Sequence, residues 1–445
     1  MAASSPKTTA KKIVARLQKA GFAAFWVGGC VRDFLLGREP WDIDIATNAT
    51  PEHIEGLFKH TVPVGRKFGV IIVIEDGQDF QVATFRSDEG YKDGRRPEKV
   101  IFGDARADAL RRDFTVNALF YDPISKVTHD WAGGQRDLRA KIIRTIGSPE
   151  KRFAEDHLRL LRAVRFAAQL NFEIEPDTFI AVKKLAPKIR LISAERIRDE
   201  LMKLFRPPHA AVGLDLLRDS GLMEHVLPDL CPTMTCDQSP NYHPEGSVYN
   251  HIRLMLEQLP PDAPTSLPWA VLLHDIGKPP TASLDRATGA IHFYGHEKIG
   301  AEMSRQILTR LRFPKKEIDE IEACVRQHMQ FKDVKQMRKA TLRRMLMRET
   351  FPLELKLHKL DCLGSHRSLE YYDFLVKEAQ ELKKKPHIRP PLLTGNDLIV
   401  LGMKPGPGMG ALLHEIRDRQ LADELKTKRT AVAWAKKQLK RKKVD

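Results

Sequence analysis

Between Phe25 and Phe85 the chain alternates short apolar runs with tight polar breaks, and from Ser148 onward that texture gives way to long amphipathic stretches. A side-chain period of two belongs to strands and one of 3.6 to helices, so the two stretches cannot build the same kind of core. Apolar runs at 64–74 and 80–85, interrupted by Glu75-Asp76-Gly77-Gln78, predict a β-hairpin. Residues 10–20 read as a helix, and Phe25 to Val27 as a short strand entering a Gly28-Gly29 turn. Together they predict a small mixed αβ domain ending near residue 140. Beyond it, Leu158, Leu161, Val164, Phe166 and Leu170 form an apolar stripe on a helix. Helical texture then continues almost to the end, broken at Arg206-Pro207-Pro208, in a Pro-rich loop at 228–244, at 260–268, and by a Lys/Pro connector at 383–391. The expected divisions are 1–140, 141–205, 206–385 and 386–445.

A chain of 445 residues is too long for one ordinary core, and 42% hydrophobic content is enough to build several. Lys and Arg total 74 against 58 acidic residues, a formal charge of +16 whose field attracts polyanions. From Lys426 onward there are nine basic residues and one acid. Five cysteines without a C-x-x-C pair fit a reducing compartment, and cytoplasm is the expected location. The first residues, Met1-Ala-Ala-Ser-Ser-Pro, lack the apolar core of a secretory signal, and no stretch approaches about 18 apolar residues, so no membrane partner is expected.

Chemistry enters at Gly28-Gly29-Cys30-Val31-Arg32-Asp33 and Asp42-Ile43-Asp44. A Gly turn leading into a helix start offers backbone donors to phosphate. In an extended segment Asp42 and Asp44 point to one side, where they can hold one or two divalent ions. The pattern suggests magnesium-dependent phosphoryl transfer, against the plainer reading of a solvated turn. In Arg111-Arg112-Asp113-Phe114-Thr115-Val116-Asn117-Ala118, alternation buries Phe114, Val116 and Ala118 and leaves Arg111, Asp113, Thr115 and Asn117 to line a pocket. A helix starting near Phe153 would carry Asp156, Arg159, Arg162 and Arg165, with Asp156 and Arg159 sharing a face. That pair is either a helix salt bridge or a pair of edges presented to a nucleobase, and spacing does not choose.

These segments, with Leu35-Leu36-Gly37, Ile45-Ala46-Thr47, Glu155 and Glu195-Arg196-Ile197-Arg198-Asp199-Glu200-Leu201, resemble in order the motifs of the class II CCA-adding enzyme and bacterial poly(A) polymerase family. The resemblance covers 21–205. It implies an α+β multidomain fold, with a polymerase-β-like nucleotidyltransferase head followed by a mainly helical neck, an HD-type body and a tail. It also implies that Asp42 and Asp44 hold Mg²⁺, that Gly28, Gly29, Arg32, Arg111, Arg112, Asp113, Asn117, Arg162 and Arg165 surround the nucleotide, and that Asp156 and Arg159 select the base without a template. The implied reaction joins CTP and ATP to a tRNA 3′ end by attack of the RNA 3′-hydroxyl on the α-phosphate, with pyrophosphate leaving. Arg111 and basic residues of the 92–99 loop, including Arg95 and Arg96, would offset the leaving charge. One departure is Gln81, where relatives commonly carry Glu, so no third metal carboxylate is assigned.

A second set is His251, His274-Asp275, His296, His328 and Asp361. The apolar run Trp269–Leu273 should drive its helix into the core and leave His274-Asp275 buried at the end, where a metal would satisfy the pair. Residues 240–365 resemble the HD phosphohydrolase superfamily, which implies His251, His274, Asp275 and Asp361 as ligands and His296 and His328 as those of a second ion. The resemblance allows Ni²⁺, Co²⁺ or Mn²⁺ and a 2′,3′-cyclic phosphodiesterase or phosphatase activity. Pro391–Leu398 and Leu401–Gly410 read as two Gly-rich turns capping helices and resemble the tail of bacterial CCA-adding enzymes. That tail holds the tRNA elbow, and Lys404, Arg429, Lys436, Lys437 and Lys440 would contact its phosphates. Competing expectations are a poly(A) polymerase, a CC-only or A-only enzyme, and an RNA-binding scaffold with a silent head. Monomer and homodimer are both open.

Overall fold

A two-residue hairpin of type I′ needs positive φ at both turn positions, and Asp76 and Gly77 supply it with φ of 50° and 72°. In the computed structural model this turn sits in a sheet built from nearly all the strands before residue 130. The structure describes residues 5–40, 42–91, 97–239, 244–384, 388 and 390–441, without the side chains of 67, 87–101, 440 and 441. It forms two units, Met1–Phe205 with His209–Pro228, and Arg206–Pro208 with Asp229–Asp445.

The first unit contains strands β1 (Ala24–Val27), β2 (Ile45–Thr47), β3 (Thr61–Gly65), β4 (Val70–Glu75), β5 (Gln78–Thr84), β6 (Arg86–Tyr91), β7 (Pro97–Phe102), β8 (Phe120–Asp122) and β9 (Val127–His129). Seven form one sheet in the order β3-β4-β5-β2-β1-β8-β9, and β6 and β7 pair separately. Only β2 and β5 run parallel within the larger sheet, with Ile45 opposite Val82. Alternation decides what is buried: Ile71 and Val73 of β4 and Phe80 and Val82 of β5 are inside.

The predicted hairpin is present, but the 64–74 run divides, because Val64 belongs to β3, which ends at Gly65, a 3₁₀ turn covers Arg66–Phe68, and β4 starts at Val70. The predicted helix at 10–20 spans Pro6–Lys19, with Ser5 accepting from the Thr8 N–H at its start.

Two local expectations fail. Asp42 and Asp44 precede β2 rather than lying in it, although the Asp44 carbonyl accepts from Val27 N at 3.0 Å, so the ladder begins at that residue. The single helix expected from Phe153 is two, Pro149–Glu155 and Leu158–Leu170, separated by Asp156 at φ −152° and ψ 105°. Asp156 and Arg159 therefore share no helix face. Leu158–Leu170 packs against helices Ala194–Leu204 and Ala210–Asp219.

In the second unit, helix Ser266–Leu273 is buried at every position, as its apolar composition requires. Around it pack Val248–Glu257, Lys315–Gln327 and Phe351–Gly364. Further on, Leu393, Leu398, Leu412, Ile416, Ala431 and Ala435 make a separate small core. Gly402, at φ 88°, follows helix Gly395–Val400, and Met403 N reaches back to Leu398 O at 3.0 Å. Only a residue tolerant of positive φ closes a helix that way. Among the described residues no helix is long and apolar enough to cross a membrane.

One core histidine makes this unit sensitive to acid. His358 is buried with its ring stacked on Phe331 at 4.6 Å, and burial pulls its imidazole down to about 4 from an ordinary 6.5. Between those values the unfolded chain binds a proton that the folded chain refuses, so stability falls as pH drops through that window, by about 1.4 kcal/mol per unit of separation. Replacing His358 with Leu should flatten the fall in melting temperature of the full chain between pH 6.5 and 5, followed by near-UV circular dichroism. Parallel parent and variant curves would remove His358 as the cause.

Candidate functional site

A cavity of about 700 Å³ in the first unit brings together most residues of the first set. Gly28 turns at φ 77°, a conformation that favours glycine, and a Cβ there would push against Arg112 Nη1 at 2.8 Å. Asp108, buried and unanticipated from the sequence, aims the adjacent arginines: Arg111 Nη2 meets Oδ1 at 2.6 Å and Arg112 Nη2 meets Oδ2 at 3.1 Å. Arg32 donates to Asn117 Oδ1 at 2.8 Å, and Asn117 Nδ2 donates to Asp113 Oδ1 at 3.1 Å. Thr115 does not join them. Its hydroxyl turns to Asp137 Oδ2 at 2.8 Å, because the segment forms a 3₁₀ turn over Thr115–Asn117 and not an alternating strand.

Asp42, Asp44 and Gln81 line the same cavity, as do Asp156, Arg159, Arg162 and Arg165. Burial, then the neighbouring Asp42, pushes the Asp44 carboxyl up to about 6. Burial and a neighbouring carboxylate make the Asp44 charge costly, a divalent cation would relieve that cost, and hard oxygen donors suit magnesium. Asp113 goes the other way. Burial alone would raise it, but Arg162 and the Asn117 amide hold it well below the carboxylate range.

Asp156 is gripped by Arg196, with Nη2 at 2.7 Å from Oδ2 and Nη1 at 3.2 Å from Oδ1. Arg159 is held by Glu155 and by the carbonyls of Arg152 at 2.9 Å and Arg111 at 3.3 Å. The helix salt bridge considered for Asp156 and Arg159 is thus absent, yet both side chains reach the cavity. Arg165 meets Glu200 Oε2 at 2.5 Å. Arg196 and Glu200 lay within a motif quoted from the sequence, but nothing in their spacing disclosed these partners.

In the second unit His251, His274 and Asp361 bring three ligand atoms within 4.8 Å of one another, and Asp275, His296 and His328 do the same. Nδ1 of His274, His296 and His328 lies 2.8, 2.7 and 2.6 Å from the carbonyls of Val271, Phe293 and Val325. A carbonyl only accepts, so each Nδ1 carries the proton and each Nε2 presents a lone pair. The Nε2 atoms of His296 and His328 face each other at 3.1 Å, and Asp275 Oδ1 lies 3.4 and 3.6 Å from them. Acceptors crowded against acceptors call for a cation, and burial, by depressing the pKa of His328, disfavours a proton as that cation. Fixed tautomers of this kind are how ligating histidines are held, and the donor set suits a transition metal.

His251 Nε2 meets Asp361 Oδ1 at 3.1 Å. Burial lowers its pKa, but the hydrogen bonds to Asp361 and Glu245 outweigh that and lift it to about 9. Gly277 allows the close packing here, since a Cβ would stand 2.2 Å from His296 O. Lys278, not singled out from the sequence, meets Asp275 Oδ2 at 2.7 Å.

Lys404 is exposed, and Arg429, Lys436 and Lys437 are exposed on helix Lys428–Arg441, where seven- and eight-residue spacing puts them on one side. The side chain of Lys440 and the loop arginines Arg95 and Arg96 lie outside the described residues.

Residues 24–144 match the poly A polymerase head domain, 171–234 the probable RNA- and SrmB-binding site of polymerase A, and 245–362 the HD domain. A CCA-adding enzyme of Geobacillus stearothermophilus is 45% identical over 222 residues, 50% of this chain and 55% of that protein. One of Staphylococcus aureus strain MRSA252 is 46% identical over 198 residues, 44% of this chain and 49% of that protein. The chain thus spans about half the length of the curated relatives it matches. The crystal structure of the Bacillus stearothermophilus CCA-adding enzyme in complex with CTP covers 99% of both chains, with a TM-score of 0.77 and 29% identity. A Thermotoga maritima CCA-adding enzyme complexed with tRNA shares the fold at a TM-score of 0.58, 20% identity and coverage of 98% of this chain and 97% of that one. With a head, an RNA-binding segment and an HD domain each matched in that order, the chain belongs to the family of the CCA-adding enzymes and bacterial poly(A) polymerases.

Proposed function

We propose that this chain adds CCA to tRNA 3′ ends from CTP and ATP, without a template and with release of pyrophosphate. The observation carrying this reading is that Asp42 and Asp44 share one cavity with Asp156 and Arg159, so a phosphate-transfer end and a base-reading end fit a single nucleotide. Asp42 and Asp44 would hold Mg²⁺, which when bound offsets charge at the α-phosphate and acidifies the attacking 3′-hydroxyl. Arg111 and Arg112, fixed by Asp108, face the phosphates. Asp156, extended between two helices and aimed by Arg196, offers acceptors to a base edge, and Arg159 offers donors. The division into head 1–140, neck 141–205, body 206–385 and tail 386–445 fits this scheme. Arg429, Lys436 and Lys437 on one side of a terminal helix would take tRNA phosphates.

The test is incubation of tRNA lacking CCA with CTP, ATP or both, with product length read at single-nucleotide resolution. Addition of C, C and then A is expected. A long A tract would make the chain a poly(A) polymerase, and arrest after CC or action only on tRNA ending in CC would make it a partial enzyme. Asp44→Asn should cost at least about 100-fold in rate, yet raise the melting temperature of metal-free protein near pH 7.5, because it removes a charge that burial opposes. In the same assay Asp156→Ala with Arg159→Ala should relax choice among the four nucleotides more than it weakens tRNA binding. Undiminished selectivity would take base reading away from the pair.

A second activity is proposed for the HD centre on a separate observation, the lone pairs of His296 and His328 aimed at one another and at Asp275. The two triads would hold transition ions, which supply Lewis acidity toward a phosphoester. Protein supplied with Ni²⁺, Co²⁺ or Mn²⁺ should hydrolyse 2′,3′-cyclic nucleotides, and His274→Ala with Asp275→Ala should abolish this while sparing CCA addition. Absence of both metal and hydrolysis in the parent would leave a structural polar cluster.

A further inference from the structure

Three of the four HD-centre histidines are oriented from within their own turn, Nδ1 bonding the carbonyl three residues earlier. His251 is different. Its Nδ1 lies 2.7 Å from Oε1 of Glu245, while its Nε2 faces Asp361. Glu245 lies outside the helix Val248–Glu257 that carries His251, and its side chain is only 5% exposed. Its backbone is pinned as well, since Asn250 Nδ2 donates to its carbonyl at 3.1 Å. The surrounding chain is tied by Val248 N to Cys236 O at 3.0 Å and Gln238 N to Gly246 O at 3.2 Å. A buried carboxylate is expensive unless it is paired, and here it is spent on the far nitrogen of one ring.

We propose that Glu245 is a positioning residue for the ion held by His251, His274 and Asp361. With its Oε1 2.7 Å from Nδ1, Glu245 would keep the proton on Nδ1 while the ion takes Nε2, and its charge strengthens that nitrogen as a donor. A carbonyl would do the first and not the second, so His251 is the one histidine whose strength as a ligand is set from outside its own helix. The neighbouring Gln238, in the same tied segment, accepts from Lys278 Nζ at 2.6 Å, and Lys278 meets Asp275 at 2.7 Å. The segment before the helix thereby reaches both triads, and among its described residues Glu245 is the one set against a ligand. This inference rests on reading the HD centre as a metal centre.

The test is titration of metal-free full-length protein with Co²⁺, following visible absorption and calorimetric heat. The parent should take up two ions per chain. Glu245→Ala should weaken one of them by about 10–100-fold and leave the other near its parent affinity. Glu245→Gln, whose amide oxygen still accepts from Nδ1, should recover part of that loss, which a merely structural role would not predict. Far-UV circular dichroism and CCA addition should be unchanged in both variants. Two ions bound by Glu245→Ala with parent affinity would overturn the role of Glu245, as would equal loss in the Gln and Ala variants. A parent that binds no ion would overturn the metal centre itself, and the proposal with it.

Discussion

Asp113 is the residue on which the head cavity depends. A carboxylate removed from water is costly unless its oxygens are satisfied, and Asp113, 7% exposed, satisfies both. Oδ1 accepts from Phe114 N at 2.8 Å and from Asn117 Nδ2, and Oδ2 accepts from Arg162 Nε at 2.8 Å. Asn117 passes the order on to Arg32, and Glu200 holds Arg165 from the other side. This network of charged groups, joined through the Asn117 amide, runs from the helix behind the Gly28-Gly29 turn to helix Ala194–Leu204, tying the sheet to the helices that follow it. Loss of Asp113 would leave the half-buried Arg162 guanidinium with only the more distant Glu200, and the Asn117 amide without this acceptor, so the cavity would lose its shape along with its charge.

That wiring explains how so many arginines can crowd one pocket. Nine cationic side chains and four carboxylates line it, an excess suited to a triphosphate. Several are clamped along one edge: Arg111 and Arg112 by Asp108, Arg162 by Asp113, Arg196 by Asp156. Donors held in place before the ligand arrives need no reorganisation during the reaction, which is where electrostatic stabilisation is most effective. Repulsion among the arginines is met by the same acids that orient them.

What could be read in advance follows from how local each signal is. The Asp76-Gly77 hairpin is written in four adjacent residues, and the burial of Ser266–Leu273 in one apolar run. Gly28 was legible from turn chemistry, and Asp42 and Asp44 reach one cavity as their two-residue spacing suggested, although they stand ahead of β2 and not in it. The break at Asp156 was not legible, since nothing in Glu155-Asp156-His157 forbids a helix. It forms where Asp156 meets Arg196, 40 residues on. Asp108, Glu200 and Glu245 were missed for the same reason. Each is an acid whose meaning comes from a partner brought by tertiary structure, and an unpaired acid in a sequence looks like surface. Thr115 erred in the opposite direction, because strand alternation was assumed where the chain makes a 3₁₀ turn.

The two candidate metal centres differ in a way that bears on when each would be filled. Magnesium takes six oxygen ligands and keeps several as water or substrate phosphate. Asp42 and Asp44 offer two side chains in an open cavity, so under the proposed reaction the remaining ligands would come with the triphosphate, and the substrate would complete the site. The HD centre offers three ligand atoms to each of two positions, with all residues but Asp361 buried and the histidine tautomers already fixed. A centre so nearly complete without substrate would, once loaded, keep its ions whether or not a substrate is bound. Nitrogen donors further separate it from the carboxylate pair, because imidazole favours later transition metals and carboxylate alone favours magnesium. On the proposed reading, donor chemistry would set the ion choice in each unit, so the two centres would not compete for the same metal.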